Sequence, residues 1–234
     1  MSRVVVVTGG NRGIGAAIAL SFVAAGDVVA VFSRSGDAPA GTHGFVCDVA
    51  STESVEAAFD AVEASLGPVE IAVANAGVTK DTLLLRMSDE DIDTVLNTNL
   101  FGALRIARRA SKSMLKLRRG RLIFISSVVG MLGSAGQANY AASKSGLVGA
   151  ARSIARELGG RGITANVIAP GFVDTDMTAV LTDDQRKAIV SNVPLGRYAS
   201  AQEIADVVVF IASQEAGYIS GALIPVDGGL GMGH

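Results

Sequence analysis

The chain is 234 residues long, which suits one α/β domain with a single core and requires no second domain. Hydrophobic residues make up 49% of the sequence, yet no apolar run approaches the roughly 20 residues of a membrane span. The formal net charge of -2 gives no reason to expect nucleic acid or a membrane surface as a partner.

A strand and a glycine-rich turn open the chain. We interpret Arg3–Thr8 as a strand, because its apolar run is typical of strands buried on both faces of a parallel sheet. The turn Gly9–Gly15 leads into an apolar helix that we expect to end near Ala25, and Asp27–Ser33 is the next predicted strand. Glycines let the backbone approach a pyrophosphate, and the helix N-terminus supplies N–H donors. The pattern predicts a dinucleotide-binding βαβ unit.

The glycines of this turn have the spacing Gly9-x3-Gly13-x-Gly15, with Thr8 before them. With this spacing the chain resembles the short-chain dehydrogenase/reductase family, whose T-G-x3-G-x-G turn it matches. The resemblance implies that the turn holds the phosphates of a nicotinamide dinucleotide. The predicted cofactor-binding residues of the turn are Gly9, Asn11, Arg12, Gly13, Ile14 and Gly15.

The end of the second strand usually carries the residue that recognises the adenosine ribose of the cofactor. An acid there favours a free 2′-hydroxyl, and an arginine favours a 2′-phosphate. Residues Val31–Ser35 contain no acid, and Asp37 comes too late, whereas Arg34 is in place. Arg12 is positioned to meet the same phosphate from the other side. We therefore predict NADP(H) as the cofactor; the alternative is that both arginines are merely solvated.

The third predicted strand, Gly44–Val46, runs into Cys47, Asp48 and Val49. Cys47 is the only cysteine, so an internal disulfide is excluded and a reducing, cytoplasmic location is expected. We expect the thiol to be a small buried hydrophobic group. The family resemblance implies that Asp48 and Val49 lie along the adenine. A helix capped by Ser51 or Thr52 follows.

The fourth predicted strand, Val69–Ala74, is followed by Asn75, Ala76 and Gly77. This tripeptide resembles the N-A-G segment of the family, which supports the central sheet and passes beside the cofactor. Strand and helix alternate along the whole chain. We therefore predict an α/β fold: a single Rossmann-type, doubly wound, seven-stranded parallel sheet with helices on both faces. No metal site is expected, because His43 and His234 have no ligand spacing.

A long helix is predicted from Ser88 to about Leu117, and Asn99 lies on its apolar stripe together with Ile92 and Val95. A buried amide costs a few kcal/mol unless it is hydrogen-bonded. Asn99 is therefore either satisfied by the backbone or holds a water at an active site. The second interpretation gains from the resemblance of Asn97–Leu100 to the N-x-N segment that carries the catalytic asparagine of the family.

The candidate catalytic residues follow an apolar run that ends at Ser127. Tyr140 comes thirteen residues later and Lys144 four residues after that, so the phenol and the amine share one face of a helix that ends near Gly159. A Y-x3-K pair alone is a weak signal. Together with Ser127, Asn99 and the glycine turn it predicts a proton-donating site.

The family resemblance implies a role for each of these side chains in reversible hydride transfer to a carbonyl carbon. Tyr140 is the general acid, Ser127 binds the substrate oxygen, Lys144 also binds the nicotinamide ribose, and Asn99 completes a water relay. We expect the ammonium of Lys144 to lower the pKa of the Tyr140 phenol towards neutral, because an opposite charge favours the ionised form.

The last third of the chain contains another predicted strand, Arg161–Ala169, and then a segment that resembles the P-G-x3-T motif of the family. The resemblance places Pro170, Gly171, Val173 and Thr175 at the nicotinamide carboxamide. Residues 177–195 have the usual position of a substrate lid. A last helix and a last strand are predicted at Gln202–Ser213 and Leu223–Val226.

Three stretches, 127–130, 136–144 and 167–177, bring the chain closer to the 3-oxoacyl-acyl-carrier-protein reductases of fatty-acid synthesis. The tail 228–234 resembles actinobacterial, especially mycobacterial, members. This resemblance implies reduction of a 3-oxoacyl thioester to the (3R)-hydroxyacyl product with NADPH, and a homotetramer. The acyl carrier protein of that family is acidic, so its docking candidates are Arg118, Arg119 and Arg161, unless these are only solvated.

Other functions remain open on the sequence alone. The same scaffold also suits a reductase of another ketone or of acetoacetyl-CoA. A nucleotide-binding regulator without catalysis and a purely structural fold are further alternatives. The presence of Asn99, Ser127, Tyr140 and Lys144 together argues against the regulator. A purely structural fold would give no NADPH-induced change in fluorescence.

Overall fold

The computed structural model describes residues 2–174 and 182–232 of the chain. Seven strands form one sheet in the order β3-β2-β1-β4-β5-β6-β7, and each neighbouring pair is parallel. The chain moves outward in opposite directions from β1, so β1 and β4 flank a topological switch point. The strands are β1 (Val4–Thr8), β2 (Val28–Ser33), β3 (His43–Val46), β4 (Val69–Ala74), β5 (Gly120–Ile125), β6 (Ile163–Pro170) and β7 (Leu223–Val226).

Helices cover both faces of this sheet, as the sequence predicts. One core packs α2, α4 and α6 against the sheet around Phe59, Met114 and Leu147, and the other packs α1 and α8 around Phe22 and Val208. The helices are α1 (Gly13–Ala24), α2 (Thr52–Ser65), α3 (Asp89–Leu96), α4 (Gly102–Leu117), α5 (Val129–Leu132), α6 (Ala138–Leu158), α7 (Asp183–Val190) and α8 (Ala201–Ile211). The predicted doubly wound α/β fold is therefore confirmed.

The apolar runs of the sequence become the inner strands. Every residue of β1 and of β6 is buried, which explains why both read as continuous apolar segments rather than alternating ones. The edge strands β3 and β7 are more exposed along their lengths. Burial on two faces thus follows directly from the position of each strand in the sheet.

The long helix predicted from Ser88 to Leu117 is interrupted. Ser88 caps α3 in a capping box with Asp91, but residues Asn97–Phe101 form a π turn before α4 begins. A π turn adds one residue per hydrogen-bonded loop and commonly marks a functional site. β6 also starts later than predicted, at Ile163, because Gly159–Arg161 form a 3₁₀ turn and the following glycine has a left-handed φ of +73°.

The loops that follow β1, β4, β5 and β6 lie at one edge of the sheet, since parallel strands end together. This edge, which we call the carboxyl edge, collects the segments that the sequence analysis selected. Residues 177–181 of the predicted lid lie outside the described residues, and the described remainder contains α7. Among residues 2–174 and 182–232, no helix combines the length and the apolar character needed to cross a bilayer.

Candidate active site

The glycine turn after β1 has the shape of a phosphate cradle. Gly9 and Gly13 have φ values of +61° and +53°, which other residues adopt at a cost. Gly15 is buried, and a Cβ there would overlap the carbonyl oxygen of Gly9. No side chain caps the start of α1, and its first turn contains no acid. The backbone N–H groups of that turn therefore suit the pyrophosphate of a dinucleotide.

Thr8 and Asn75 hold this turn against β4. The Asn75 side-chain amide donates to the carbonyl oxygens of Thr8 and Gly9 at 3.0 and 3.2 Å. The Thr8 hydroxyl accepts from the backbone N–H groups of Asn75 and Ala76 at 3.0 and 2.9 Å. The predicted support by the N-A-G segment is thus a set of specific hydrogen bonds. Sequence reasoning assigned no such role to Thr8, although its position before the first glycine was a signal.

Arg12 and Arg34 are both exposed, in the loops that follow β1 and β2. Neither forms an ion pair within the part of the chain that the structure describes. Asp48 is exposed as well, and its carboxylate accepts from the N–H of Ala50 at 2.9 Å. Val49 is buried beneath it. The structure therefore leaves both guanidiniums available at the edge where a 2′-phosphate is expected.

The segment after β6 is joined to the loop after β5. The carbonyl oxygen of Pro170 accepts from the N–H of Val128 at 2.8 Å. Gly171 packs so closely that a Cβ there would lie 2.7 Å from Cα of Asp227. Val173 is buried, and Thr175, predicted at the carboxamide, lies outside the described residues. The carboxyl ends of β5 and β6 thus form one continuous wall of the site.

Ser127 and Tyr140 face each other across this edge. Ser127 directly follows β5 and Ser126, and its hydroxyl accepts from the N–H of Val129 at 3.2 Å. Tyr140 lies in the first turn of α6, where its N–H donates to the side chain of Asn139 at 2.8 Å. The Ser127 hydroxyl lies near enough to the Tyr140 phenol to act against the rise in the phenol's pKa. The structure therefore brings the predicted acid and the predicted oxygen-binding hydroxyl to the same part of the carboxyl edge.

Lys144 lies one turn further along α6 and is buried, with 4% of its surface exposed. Its Nζ donates to the carbonyl oxygen of Ile125 at 2.8 Å and lies 5.6 Å from the centre of the Tyr140 ring. Within the described residues no carboxylate pairs with it. Burial lowers the pKa of Lys144 to about 8, because desolvation disfavours the charged form.

The pKa of Tyr140 shifts in the direction opposite to the prediction. Burial raises the pKa of the phenol, the hydrogen bond with Ser127 acts against this, and the charge of Asp81 adds to it. The expected lowering by Lys144 is wrong for the protein groups alone. Nζ of Lys144 donates to the Ile125 carbonyl, and burial is the largest influence on the pKa of the phenol in the protein by itself.

Asn99 lies in the π turn and is almost fully buried, with 1% of its surface exposed. Its amide nitrogen donates to the Val78 carbonyl at 3.0 Å and to the Ser143 hydroxyl at 3.1 Å, and its oxygen accepts from the N–H of Val78 at 2.8 Å. The Asn99 amide is thus bonded to the backbone of Val78 and to the Ser143 side chain, and its part in a water relay stays a prediction. Gly77 lies between it and Lys144: a Cβ at Gly77 would come within 3.3 Å of the Asn99 oxygen and 3.5 Å of Nζ.

Polar side chains that the sequence analysis did not select connect these elements. Ser143 is fully buried, donates to the Tyr140 carbonyl at 2.7 Å and accepts from Asn99. Asn139 reaches back to the carbonyls of Lys80 and Asp91 at 3.1 and 3.2 Å. Their signal in the sequence was weak, because a serine or an asparagine near a helix start usually acts as a cap.

The part of the chain that the structure describes contains no group of three or more His, Cys, Asp or Glu side chains arranged to hold a metal ion. The site instead combines a glycine turn suited to phosphate, a phenol and a buried ammonium at the carboxyl edge. This combination is typical of oxidoreductases that bind a dinucleotide at the switch point of a parallel sheet.

A family model described as Enoyl-(Acyl carrier protein) reductase matches residues 9–231. The chain belongs to the short-chain dehydrogenase/reductase family, and it is an oxidoreductase that uses a nicotinamide cofactor. Over 234 residues it is 53% identical to the 3-oxoacyl-[acyl-carrier-protein] reductase MabA of Mycobacterium tuberculosis, covering 100% of this chain and 95% of that protein. Over 238 residues it is 46% identical to the 3-oxoacyl-[acyl-carrier-protein] reductase FabG of Salmonella typhimurium, covering 98% of both chains.

Proposed function

We propose that this protein reduces a 3-oxoacyl thioester on acyl carrier protein to the (3R)-hydroxyacyl product with NADPH, in fatty-acid biosynthesis. The observation that carries the proposal is that Ser127, Tyr140 and buried Lys144 lie together at the carboxyl edge, next to the phosphate cradle. The hydroxyl groups of Ser127 and Tyr140 can both donate hydrogen bonds to the carbonyl oxygen of the substrate, which becomes a hydroxyl group in the reaction. The names of the full-length relatives support the choice of substrate.

The nicotinamide supplies the hydride when it is bound. Ser127 and Tyr140 bind the carbonyl oxygen, and the Tyr140 phenol gives it a proton as negative charge develops there. A raised pKa keeps the phenol protonated at neutral pH, so the acid is in its working form. Lys144, with a pKa of about 8, is then mostly charged and stabilises the phenolate that remains.

The test of this mechanism is Tyr140→Phe, which removes the proton donor and keeps the ring. We expect kcat to fall about 100-fold or more, since general acid catalysis contributes on that scale. Binding of NADPH, followed by its fluorescence, should be retained. Tyr218→Phe is the matched control, because Tyr218 is fully exposed and far from the site in the sequence. Unchanged NADPH-dependent reduction by Tyr140→Phe contradicts the mechanism.

The preference for NADPH rests on Arg12 and Arg34, which are exposed without a paired carboxylate. The substitution Arg34→Asp replaces the phosphate-binding charge with one that suits a 2′-hydroxyl. We expect kcat/KM for NADPH to fall about tenfold or more and that for NADH to stay or rise, since a charge-assisted hydrogen bond is worth roughly 1.5–3 kcal/mol. Arg86→Gln is the control for general charge loss. Equal use of both cofactors by the unmodified protein contradicts this assignment.

Acyl carrier protein is the proposed carrier of the substrate, and Arg118, Arg119 and Arg161 remain its candidate docking residues. Arg119 forms an ion pair with Glu70 at 2.6 Å. All three precede β5 or β6, so the length of a strand, about 20 Å for six residues, separates them from Ser127 within one chain. A docked carrier would therefore have to span this distance or serve the site of another subunit.

Steady-state kinetics on two forms of one substrate test the carrier. We expect Arg118→Gln/Arg161→Gln to raise KM for acetoacetyl carrier protein about fivefold and to leave KM for a small acetoacetyl thioester unchanged, because rim charges steer association. Arg108→Gln, on the exposed side of α4, is the control. Equal kcat/KM of the unmodified protein on carrier-linked and free ketones contradicts the carrier proposal and favours a reductase of other ketones or of acetoacetyl-CoA.

The description of the matching family model makes an enoyl thioester the second candidate substrate. An enoyl chain has no oxygen on the carbon that receives the hydride, so Ser127 and Tyr140 would have no group to protonate there. We therefore expect turnover of acetoacetyl carrier protein and none of crotonyl carrier protein under the same conditions. The reverse result contradicts the assigned roles of both residues.

We further propose a cytoplasmic homotetramer in which residues 1–234 form one reductase domain and residues 177–195 act as a substrate lid. Exposed apolar side chains support the assembly: Phe101 and Leu104 at α4, and Phe210 on α8. Such side chains commonly mark subunit contacts. The mass of the assembly by light scattering tests it, and a monomer at micromolar concentration contradicts it.

A further inference from the structure

A cavity lies at the edge of the sheet opposite the carboxyl edge, where β5 and β6 begin. It has a volume of about 580 Å³ and is lined by the end of α6, the first residues of β5 and β6, and the turn 217–221. We call it the arginine cleft, because Arg121, Arg152 and Arg156 all line it. None of the residues in the mechanism lies there. The chemistry at the carboxyl edge therefore does not explain this concentration of charge.

The three guanidiniums of the arginine cleft have no carboxylate partner among residues 2–174 and 182–232. Other arginines of the chain do: Arg3 pairs with Asp27, and Arg197 pairs with Glu203. The acids closest to the cleft in sequence, Glu157 and Glu215, form no ion pair with it. The protein has a net charge of -2, so a local group of three unpaired cations is a distinct feature of this surface.

Arg121 is held in place by backbone oxygens alone. Its Nη1 donates to the carbonyl of Gly120 at 3.0 Å, and its Nη2 donates to that of Ser213 at 3.4 Å. Burial lowers the pKa of its guanidinium, and repulsion from Arg3 adds to this. Like charges near one another raise the free energy of the folded state, and a bound anion relieves that repulsion. The cleft thus carries an uncompensated positive charge at a fixed position.

The other residues that line the arginine cleft include small glycines and side chains with hydroxyl groups. Gly217 leaves space beside Arg121, since a Cβ there would lie 3.7 Å from Nη2. Gly221, with a φ of +74°, lies against Arg152, whose Cγ would be 3.9 Å from a Cβ at that position. The lining also includes Thr164 and Ser220, so hydroxyl groups accompany the charges. A side chain at either glycine would narrow the cleft.

We propose that the arginine cleft binds a small organic phosphate that carries two or more negative charges. Guanidinium groups bind phosphate oxygens in pairs, which gives both affinity and geometry. Three of them around one cavity match a polyanion better than a single carboxylate. The volume lies within the range of small-molecule sites and is too small for a folded partner. This site is separate from the cofactor cradle, which lies at the other edge of the sheet.

The test uses the full-length protein with its cofactor site saturated by NADP⁺, so that the cradle at the carboxyl edge cannot bind the probe. Inorganic pyrophosphate is titrated by calorimetry at low ionic strength. The titration is repeated with about 0.3 M salt, which screens the charges of the cleft. We expect saturable binding at one site per chain. Arg152→Gln/Arg156→Gln should weaken it about tenfold or more, since the variant loses two charged donors to the phosphate oxygens. Both arginines are exposed, so the fold should tolerate the change.

Arg108→Gln/Lys116→Gln is the matched control, because it removes two exposed charges from α4 outside the cleft. We expect it to change pyrophosphate affinity less than about twofold, as rim charges contribute little. Three results overturn the proposal. They are no saturable binding to the unmodified protein, equal weakening by both double variants, and an effect of the cleft variant on the KM for carrier-linked substrate without any on pyrophosphate. If the unmodified protein reduced no substrate, the proposed function would be wrong, but the proposal for the arginine cleft would still stand on the pyrophosphate titration.

Discussion

Lys144 and Arg109 are both buried cations, each with 4% of its surface exposed, but their surroundings are opposite. Arg109, on α4, lies 2.7 Å from Asp60, 2.8 Å from Glu63 and 3.0 Å from Glu56, all on α2. Lys144 has a single backbone carbonyl. The pKa of Arg109 is raised, first by its hydrogen bond to Glu63, whereas burial lowers the pKa of Lys144.

The difference in their partners distinguishes a charge that stabilises the fold, Arg109, from a charge proposed to act in catalysis, Lys144. Arg109 is surrounded by acids and stacks over Phe59 at 5.1 Å, so its charge is fully committed to joining α2 and α4. Lys144 keeps an unpaired charge at a cost in stability, and the mechanism we propose uses that charge to stabilise the negative charge that develops in the reaction. Functional sites commonly hold such perturbed groups. Four substitutions or conditions test this contrast.

The largest effect is expected from Lys144→Met, which keeps the bulk and removes the charge. We expect kcat to fall about 100-fold or more, as for loss of other charge-stabilising groups. The free energy of unfolding at pH 7 should rise, because a pKa lowered from 10.5 to about 8 corresponds to roughly 3 kcal/mol of unfavourable burial. Denaturant unfolding measures this. A less stable Lys144→Met protein breaks the comparison.

Arg109→Met should have the opposite pair of effects. It leaves three acids near one another without their cation, and we expect about 2–4 kcal/mol of destabilisation in urea unfolding. Turnover at a temperature where the variant is folded should change little. Glu63 has a lowered pKa, since its bonds to Arg109 and Ser113 outweigh burial, so its contribution to stability is present above its unfolded pKa and is lost as pH falls. The deficit of the variant should therefore shrink in acid.

A pH series on the unmodified protein sharpens the assignment of Lys144. Its folded pKa lies below its unfolded value, so the unfolded state binds more protons between about pH 8 and 10.5, and stability from this group rises with pH. Relative to Lys144→Met, we expect a gain of about 1 kcal/mol between pH 7 and 9. Turnover should decline over the same interval as the ammonium loses its proton. A flat difference across this range contradicts the lowered pKa.

The smallest effect is expected at the start of α3, which leads to Asn99 but contains neither cation. Ser88→Ala removes the hydroxyl that accepts from the N–H of Asp91 at 3.1 Å. Loss of such a cap costs about 0.5–1 kcal/mol in thermal or urea unfolding. We expect kcat to stay within about twofold, because the π turn and its contacts are unchanged. A large loss of turnover would show that the position of Asn99 depends on this cap.

Much of the fold and of the site followed from local pattern. The bounds of the fourth strand, Val69–Ala74, were predicted without error, because a buried run between turn residues specifies its own ends. The shared face of Tyr140 and Lys144 followed from the spacing of four residues on a helix. The interruption at Asn97–Phe101 did not, since a π turn leaves the apolar period almost unchanged over one turn.

The sequence by itself determined the order of the elements, the conformation of the glycine turn and the helical spacing of the candidate proton donor Tyr140 and Lys144, because each depends on neighbours within a few residues. Only the tertiary structure decided the electrostatics. It paired Arg109 with acids of another helix and placed the Lys144 nitrogen against a carbonyl, so that burial moves the pKa of Tyr140 upward. It also gathered Arg121 with Arg152 and Arg156 around one cleft. The effects of burial and of neighbouring charges depend on distances in space, and the spacing of residues along the sequence does not reveal those distances.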